Sequence, residues 1–316
     1  MSLFAIYHIR RHEFQSTLLE LIRAVGDIML IAQLIVQGII TASFYALAAV
    51  TWGIIYRTSL TFHFSHHLVF TVAGYTAAFV TSQLHLHFIF GFLAAVAVAA
   101  ILGCSIDAFL YRRLRTMGAT KATTFLSSLG FATAGVALIL LFFSSNPRSI
   151  KGFPVKMLSI GEAYFTTADI AMVVVSLTMI GLLLLFLKKS RYGKAIRAVG
   201  SNREMARNVG IDIDRIYLLV YAIGSGMFGG AAFLFTIKNV AYPTMGILPF
   251  FMSFTAVFLG GVASIPGHAL AGFILGLAEN LGMIILPGEY KIMIAFAILF
   301  IVILIKPEGL LGSKRG

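Results

Sequence analysis

Apolar residues dominate this chain in long, uninterrupted runs. Ile28 to Tyr56 carries no charge, and further runs cover Phe88 to Ile106, Ala122 to Ser145, Ile170 to Leu187, Ile216 to Ile237, Ala269 to Ala278 with a continuation to Leu286, and Ile292 to Ile305. Phe250 to Val262 is apolar but short. A run of about 18 or more apolar residues is long enough to cross hydrocarbon. There every backbone amide must be satisfied within a helix or a closed barrel, and these runs lack the alternation of barrel strands. The pattern therefore predicts an all-α fold, a polytopic transmembrane helix bundle of eight spans, or nine with the short run. Residues 28–312 read as a single transmembrane domain with a polar loop, 188–215, inside it. Residues 1–27 read as an amphipathic interfacial segment. They are not expected to be a cleavable signal, because Arg10, Arg11 and Glu13 interrupt any apolar core.

Composition removes the soluble alternatives. The 316 residues are 59% hydrophobic and 11% charged, with a mean hydropathy of +0.95, against about 25% charged in a soluble domain. The net charge of +12 reads as topology and not as nucleic-acid binding, because Lys and Arg gather in loops retained on the cytoplasmic side. One cluster is Arg112, Arg113, Arg115 and Lys121; the larger is Lys188, Lys189, Arg191, Lys194, Arg197, Arg203, Arg207 and Arg215. Two spans separate them, so Asn146 to Thr167 becomes the external loop, although Arg148, Lys151 and Lys156 dilute the contrast. Nine spans put Lys314 and Arg315 inside, but they put Arg10, Arg11 and Arg23 outside, against the charge rule. The single Cys104 permits no intrachain disulfide and reads as a packing residue.

The loop 188–215 is the long polar insert of the chain. Ser201-Asn202-Arg203-Glu204 has the spacing of a capping box, with Ser201 as N-cap and Glu204 returning to its amide, and Gly210 is a natural helix stop. The expected helix, Asn202 to Val209, displays Met205, Ala206 and Val209 between basic residues, as a docking element would. A solvated basic loop that only fixes topology is the plainer reading. No GxxxxGK[ST] phosphate loop occurs, so nucleotide energy must come from a partner.

These residues resemble a known family. Gly193-Lys194-Ala195-Ile196-Arg197-Ala198-Val199-Gly200, followed by Asn202, Ala206, Gly210-Ile211, Asp214 and Arg215, is similar to the coupling loop of the branched-chain amino-acid class of ABC transporter permeases. Gln37-Gly38, Tyr45-Ala46-Leu47 and Asp107 with Tyr111-Arg112 fit the same pattern. The strongest match is Leu259-Gly260-Gly261-Val262-Ala263-Ser264-Ile265-Pro266-Gly267 with Gly272, Gly276 and Glu279, and Tyr290-Lys291 and Lys306-Pro307-Glu308-Gly309-Leu310-Leu311-Gly312 complete it. The resemblance implies a type II importer-like permease in a bacterial inner membrane. It implies a second, paralogous permease subunit, two ATP-binding cassette subunits and a periplasmic solute-binding protein as partners. Branched-chain amino acids or related small polar solutes (amides, urea, small organic acids) would be the cargo. Gly193, Lys194, Arg197, Ser201, Asn202, Glu204, Met205, Ala206, Arg207 and Gly210 would meet the ATPase. No catalytic residue, cofactor, metal or nucleic acid is expected; the surroundings are membrane lipid.

Gly226 with Gly230 and Gly272 with Gly276 have GxxxG spacing, which lets helix backbones approach. Gly260, Gly261, Pro266 and Gly267 bracket Ser264 and predict a break in the helix ladder. Such breaks are tolerated at membrane depth when buried in protein or facing water, which makes Gly260, Gly261 and Ser264 candidates for the translocation pathway. Asp107, Asp169, Glu279 and Lys291 lie in or near spans, where charge is costly; Glu279 reads as the deepest, a buried charge making a structural, gating or partner contact.

His63-Phe64-Ser65-His66-His67 departs from the family, in which an Asn-Phe-Ala-His-Gly-like motif lies near the pathway. Aligned on Tyr75, His66 keeps the family's histidine, while His63 stands for Asn and His67 for Gly. His63, Phe64, Ser65, His66, His67 and Tyr75 are therefore further pathway candidates. The same residues spell HxxHH, a spacing used by membrane di-iron oxidases and desaturases, for which imidazoles are good ligands. That enzyme needs about eight imidazoles in three boxes, and the chain has eight histidines scattered outside that pattern. An autonomous channel or secondary carrier is the other alternative; it would leave the loop 188–215 without a purpose.

Overall fold

The computed structural model describes residues 3–161, 163–287 and 290–312, and the side chains of all of these except 3–28 and 291. The amphipathic reading of residues 1–27 and the placement of the Lys291 side chain therefore fall outside the described residues. The chain is helical almost throughout. Helix α1 covers Leu3–Ser59, α2 His66–Ser82 and α3 Phe88–Ser105, which runs through a π-helical turn, Ile106–Tyr111, into α4, Arg112–Thr116. Helix α5 is Lys121–Phe143; a two-stranded hairpin, β1 Met157–Ile160 and β2 Ala163–Thr166, then leads into α6, Thr167–Lys189. The loop 188–215 holds α7, Arg191–Ser201, and α8, Arg203–Asn208, before α9, Ile213–Lys238. Helices α10 (Ile247–Gly260), α11 (Ile265–Gly282) and α12 (Lys291–Ile305) complete the chain. Five helical stretches among the described residues are long and apolar enough to cross a membrane, beginning at Met29, Phe88, Lys121, Thr167 and Ile213, and α10 and α12 are shorter apolar helices.

Burial separates the bundle into centre and rim. The most apolar stretches of α1 and α9 are each 72% buried, against 28% in α3 and α6 and 17% in α5. An apolar helix with an uncovered surface needs lipid or another protein over it, so α3, α5 and α6 form the rim of the bundle. The centre is built on backbone proximity. A Cβ on Gly272 would lie 2.6 Å from the Tyr45 carbonyl, and Gly276 abuts the backbone of Ala42, so α1 and α11 meet with no side chain between them. Across the centre, Gly229 lies against the Ala95 carbonyl and Gly226 against Ala100, joining α9 to α3. Gly226 and Gly272–Gly276 thus form the expected seams, while Gly230 faces Met179 of α6 and Phe92 of α3.

Contacts between distant segments define two ends. Lys238, at the end of α9, meets Asp169 at the start of α6 (2.7 Å) and Gln37 of α1 (3.0 Å). The β hairpin lies at the same end, where the Gln33 side chain accepts from the Tyr164 amide (2.7 Å). At the other, basic end Arg203 donates to the Ser59 carbonyl (3.1 Å), and Arg115 pairs with Asp107 (2.6 Å) and Asp214 (3.5 Å). The carboxy-terminal residues return to this end, where the Leu310 amide donates to the Leu259 carbonyl (2.8 Å).

Candidate functional site

The basic end is organised by two short helices. Ser190 caps α7 by accepting from the Gly193 amide (2.8 Å), and Gly193 packs so closely on the Phe186 and Leu187 carbonyls that a Cβ would collide with them. Helix α7 buries Ile196 and Val199, while Lys194 is exposed and Arg197 half-buried. The expected capping box is corrected here. Ser201 is the last residue of α7, and Asn202 caps α8, accepting from the Met205 amide (3.0 Å). The amphipathic stretch 191–201 already holds Ser201 in a helix, so the extended backbone of Asn202 (φ −150°) becomes the first available cap. Gly210, at φ +82°, ends α8: its amide donates to Arg207 and the Ile211 amide to Ala206, the paired bonds of a glycine stop.

The displayed face of α8 also differs from expectation. Met205 and Val209 are 69% and 76% exposed, but Ala206 is 2% exposed and packs inward. Ser201, Asn202, Glu204, Arg207 and Gly210 are exposed. Arg203 turns back to the body, donating to Ser59 and resting 5.2 Å over the Tyr217 ring. That guanidinium ties α8 to the end of α1 and to α9, a link that 144 positions of sequence separation conceal.

The histidine-rich turn folds back into the bundle. The His63 ring meets the Tyr111 hydroxyl (2.7 Å), which meets the Ser128 hydroxyl (2.7 Å), and Ser128 in turn accepts from the Ser65 amide (2.9 Å). His66 contacts Thr51 (3.2 Å) and stacks on Phe228 at 4.1 Å. Phe64 lies 4.9 Å from Phe250 of α10, and His67 is buried beside them. These side chains clamp the turn between α1, α5, α9 and α10. No group of three or more His, Cys, Asp or Glu converges on a common point among the described residues, so the HxxHH spacing is not assembled as a metal box.

The other pathway candidates lie apart from this turn. Tyr75 sits on α2 facing Phe143 of α5 (5.2 Å). Gly260 and Gly261 end α10 with Gly261 at φ +92°, where only glycine is comfortable, and Ser264 caps α11 by accepting from the Gly267 amide (3.1 Å). The predicted break is thus present, and the tail residues Glu308–Gly312 pack against it.

A cavity of about 380 Å³ opens at the hairpin end between α1, α6, α9, α10 and α11. Its apolar wall includes Leu34, Phe44, Met172, Phe235, Leu248 and Met283. Gln37, Thr41, Tyr45, Lys238, Asn239, Glu279 and Asn280 supply its polar side chains. Glu279 is 3% exposed and hydrogen-bonded to the Tyr45 hydroxyl. The apolar sequence continues to Leu286, but α11 stops at Gly282, so the buried Glu279 lies in the helix's last turn. Lys238 was the residue sequence reasoning passed over. Its signal was a lone Lys closing an apolar run at the end opposite the basic loops.

A family model described as "Branched-chain amino acid transport system / permease component" matches residues 34–303. The chain is 31% identical over 298 residues to the high-affinity branched-chain amino acid transport system permease protein BraD of Pseudomonas aeruginosa, covering 90% of this chain and 96% of that one. It is equally 31% identical over 298 residues to LivH of Escherichia coli K12, covering 88% and 94%. Among solved structures it resembles PsaBC from Streptococcus pneumoniae, in complex with Fab, with a TM-score of 0.51 over 86% of this chain and 91% of that one; at 16% identity the likeness is one of fold.

Proposed function

Because the chain belongs to the family of permease components of branched-chain amino acid transport systems, we propose that it is the inner-membrane subunit through which an ATP-driven importer moves branched-chain amino acids or related small polar solutes. Its partners in this reading are a second permease subunit, paralogous to it, two ATP-binding cassette subunits and a periplasmic solute-binding protein. ATP is hydrolysed in the cassette subunits, and this chain converts their closure into a change of access. Residues 28–312 act as one transmembrane domain of nine passes, α1, α2, α3–α4, α5, α6, α9, α10, α11 and α12. Alternation of these helices between the two ends supports that count, with the basic end cytoplasmic and the hairpin end periplasmic.

The observation that carries the reading is α8: two large apolar side chains, Met205 and Val209, stand exposed on a capped helix outside the apolar spans, uncovered by the bundle. Gly193, Lys194, Arg197, Ser201, Asn202, Glu204, Met205, Ala206, Arg207 and Gly210 form this coupling element, with Gly193 and Ala206 seating it from beneath. Arg203 transmits its displacement to Ser59 and Tyr217. The pathway passes the aromatic wall of α1 and α10, with His63, Phe64, Ser65, His66 and His67 fixing one side, Tyr75 backing α2, and Gly260, Gly261 and Ser264 acting as a hinge. The test is reconstitution with the cassette subunits after replacing Arg197 and Arg207 by Glu. Loss of co-purification and of solute-stimulated ATP hydrolysis supports the reading; wild-type coupling overturns it.

A further inference from the structure

We propose that the groove between α2 and α5 at the hairpin end is a binding site for an anionic phospholipid, its phosphodiester held by Arg148 and one acyl chain lying along the groove. The site goes beyond the permease reading and holds whatever solute the chain carries.

The loop 144–166 carries Arg148, Lys151 and Lys156 against one acid, Glu162. Basic residues ordinarily concentrate at the opposite, cytoplasmic end, so these three call for a role at this one. Arg148 is held in place. Its amide donates to the Ala241 carbonyl (3.0 Å), its carbonyl accepts from the Ala241 amide (2.7 Å), and its guanidinium rests 5.3 Å over the Phe143 ring. Among the described residues no carboxylate lies within ion-pair distance of it, and its Nε is buried with no hydrogen-bond partner. The Tyr75 hydroxyl, which feels the charge of Arg148, is likewise buried and unpartnered. Donors are therefore left over at one place. A guanidinium on an aromatic face suits a phosphate in particular, because its planar fork matches the phosphate oxygens.

Phe143 joins this cation to an apolar groove. Helices α2 and α5 touch where Leu68 lies against Gly135. Toward the hairpin end a space of about 230 Å³ opens between them, lined by Val72, Tyr75, Thr76 and Phe79 of α2 and by Ile139 and Phe143 of α5. The α2 residues follow i, i+3, i+4 and i+7, one stripe along the helix axis, and at about 1.5 Å per residue the stripe runs roughly 10 Å. The Thr76 hydroxyl donates to the Val72 carbonyl (2.8 Å), so its proton is already used. The groove thus fits hydrocarbon, and the cation at its loop end fits an anion at the head of that hydrocarbon. Phe79, Leu138 and Phe142 stand exposed around it, on a face this bundle leaves open. Basic pockets between transmembrane helices are a common seat for anionic headgroups. A choline headgroup would bring an ammonium that meets no carboxylate here among the described residues, so phosphatidylglycerol should be preferred to phosphatidylcholine.

The experiment uses the complete importer in phosphatidylcholine nanodiscs doped with phosphatidylglycerol that carries a diazirine on its acyl chain; labelled peptides are mapped by mass spectrometry. The expected label falls on 72–79 of α2 and 139–143 of α5. Unlabelled phosphatidylglycerol should displace it at least about tenfold better than added phosphatidylcholine, a factor equal to about 1.4 kcal/mol. Arg148→Gln should lower this label about tenfold, while Arg148→Lys, which keeps the charge, should retain most of it. Label elsewhere on the chain reports bulk lipid and should respond to neither variant. If Arg148→Gln fails to assemble, the lipid competition on the unaltered importer decides the matter alone. Equal displacement by the two lipids overturns the site. Displacement by inorganic phosphate in the buffer would make it a site for a free anion and overturns the lipid. Absence of label from the groove of the unaltered importer means that a second subunit covers it, and overturns the proposal as well. None of these results bears on uptake, so the permease reading stands or falls separately.

Discussion

A methyl group added at Gly272 tests whether the α1–α11 seam is the structural centre. The Cβ of Gly272→Ala would stand 2.6 Å from the Tyr45 carbonyl oxygen and 2.7 Å from the Ala46 Cα. Ordinary contacts lie at about 3.5–4.0 Å, so the helices must part by roughly 0.9 Å. The neighbours are backbone, which cannot swing aside as a side chain can. Overpacking of this kind costs about 1–3 kcal/mol, and the better helix propensity of Ala returns about 0.8–1.0 kcal/mol. The net expectation is a loss of about 1 kcal/mol, a roughly fivefold smaller folding constant. Gly276→Ala strains the same seam against Ala42, so the double variant should lose less than the sum of the two. Gly181→Ala is the control: its site is exposed and nothing lies within 4 Å, so only the propensity gain remains and the sign reverses. Reversible unfolding in mixed micelles measures all four. The reasoning fails if Gly272→Ala is as stable as Gly181→Ala.

Other consequences are equally direct. Met205→Glu with Val209→Glu should abolish capture of the cassette subunits in a pull-down while leaving the melting temperature of the isolated chain unchanged, because neither side chain packs on the bundle. Gly210→Ala places a Cβ at φ +82° at a cost of about 1–2 kcal/mol; the loss should appear as lower solute-stimulated ATP hydrolysis with membrane insertion intact. Asp107→Asn leaves Arg115, only 20% exposed, facing a neutral amide and should destabilise the chain by up to about 3 kcal/mol, moderated by Asp214 and read in the same unfolding assay. A transition-metal chelator that leaves Mg²⁺ in place should not alter the stability of the chain, since His63 and His66 are engaged with Tyr111, Thr51 and Phe228; a melting temperature that falls on adding it would refute that assignment.

What could be read from sequence was whatever local physics decides. Long apolar runs became helices, the Gly260–Gly267 punctuation became a break with Ser264 as the next cap, and Gly210 became a stop at positive φ. Gly272 and Gly276 became a seam, because small residues one turn apart serve close helix approach. The failures are non-local or sit at boundaries. Two adjacent cap-forming residues, Ser201 and Asn202, were separable only once Ile196 and Val199 were seen to anchor α7. The Arg203–Ser59 link and the Lys238–Asp169 pair join segments far apart in the chain, and no spacing rule announces them. Within the candidate site, the exposed helix α8 was legible in outline and the hairpin-end cavity was not.

The central claim is that this bundle is driven from its basic end by a nucleotide-hydrolysing partner. The most direct measurement is leucine accumulation in proteoliposomes with ATP enclosed, comparing the chain alone, the full assembly, and the full assembly carrying Met205→Glu and Val209→Glu. Accumulation by the unaltered full assembly alone is predicted. Uptake by the isolated chain at the rate of the assembly would contradict the claim.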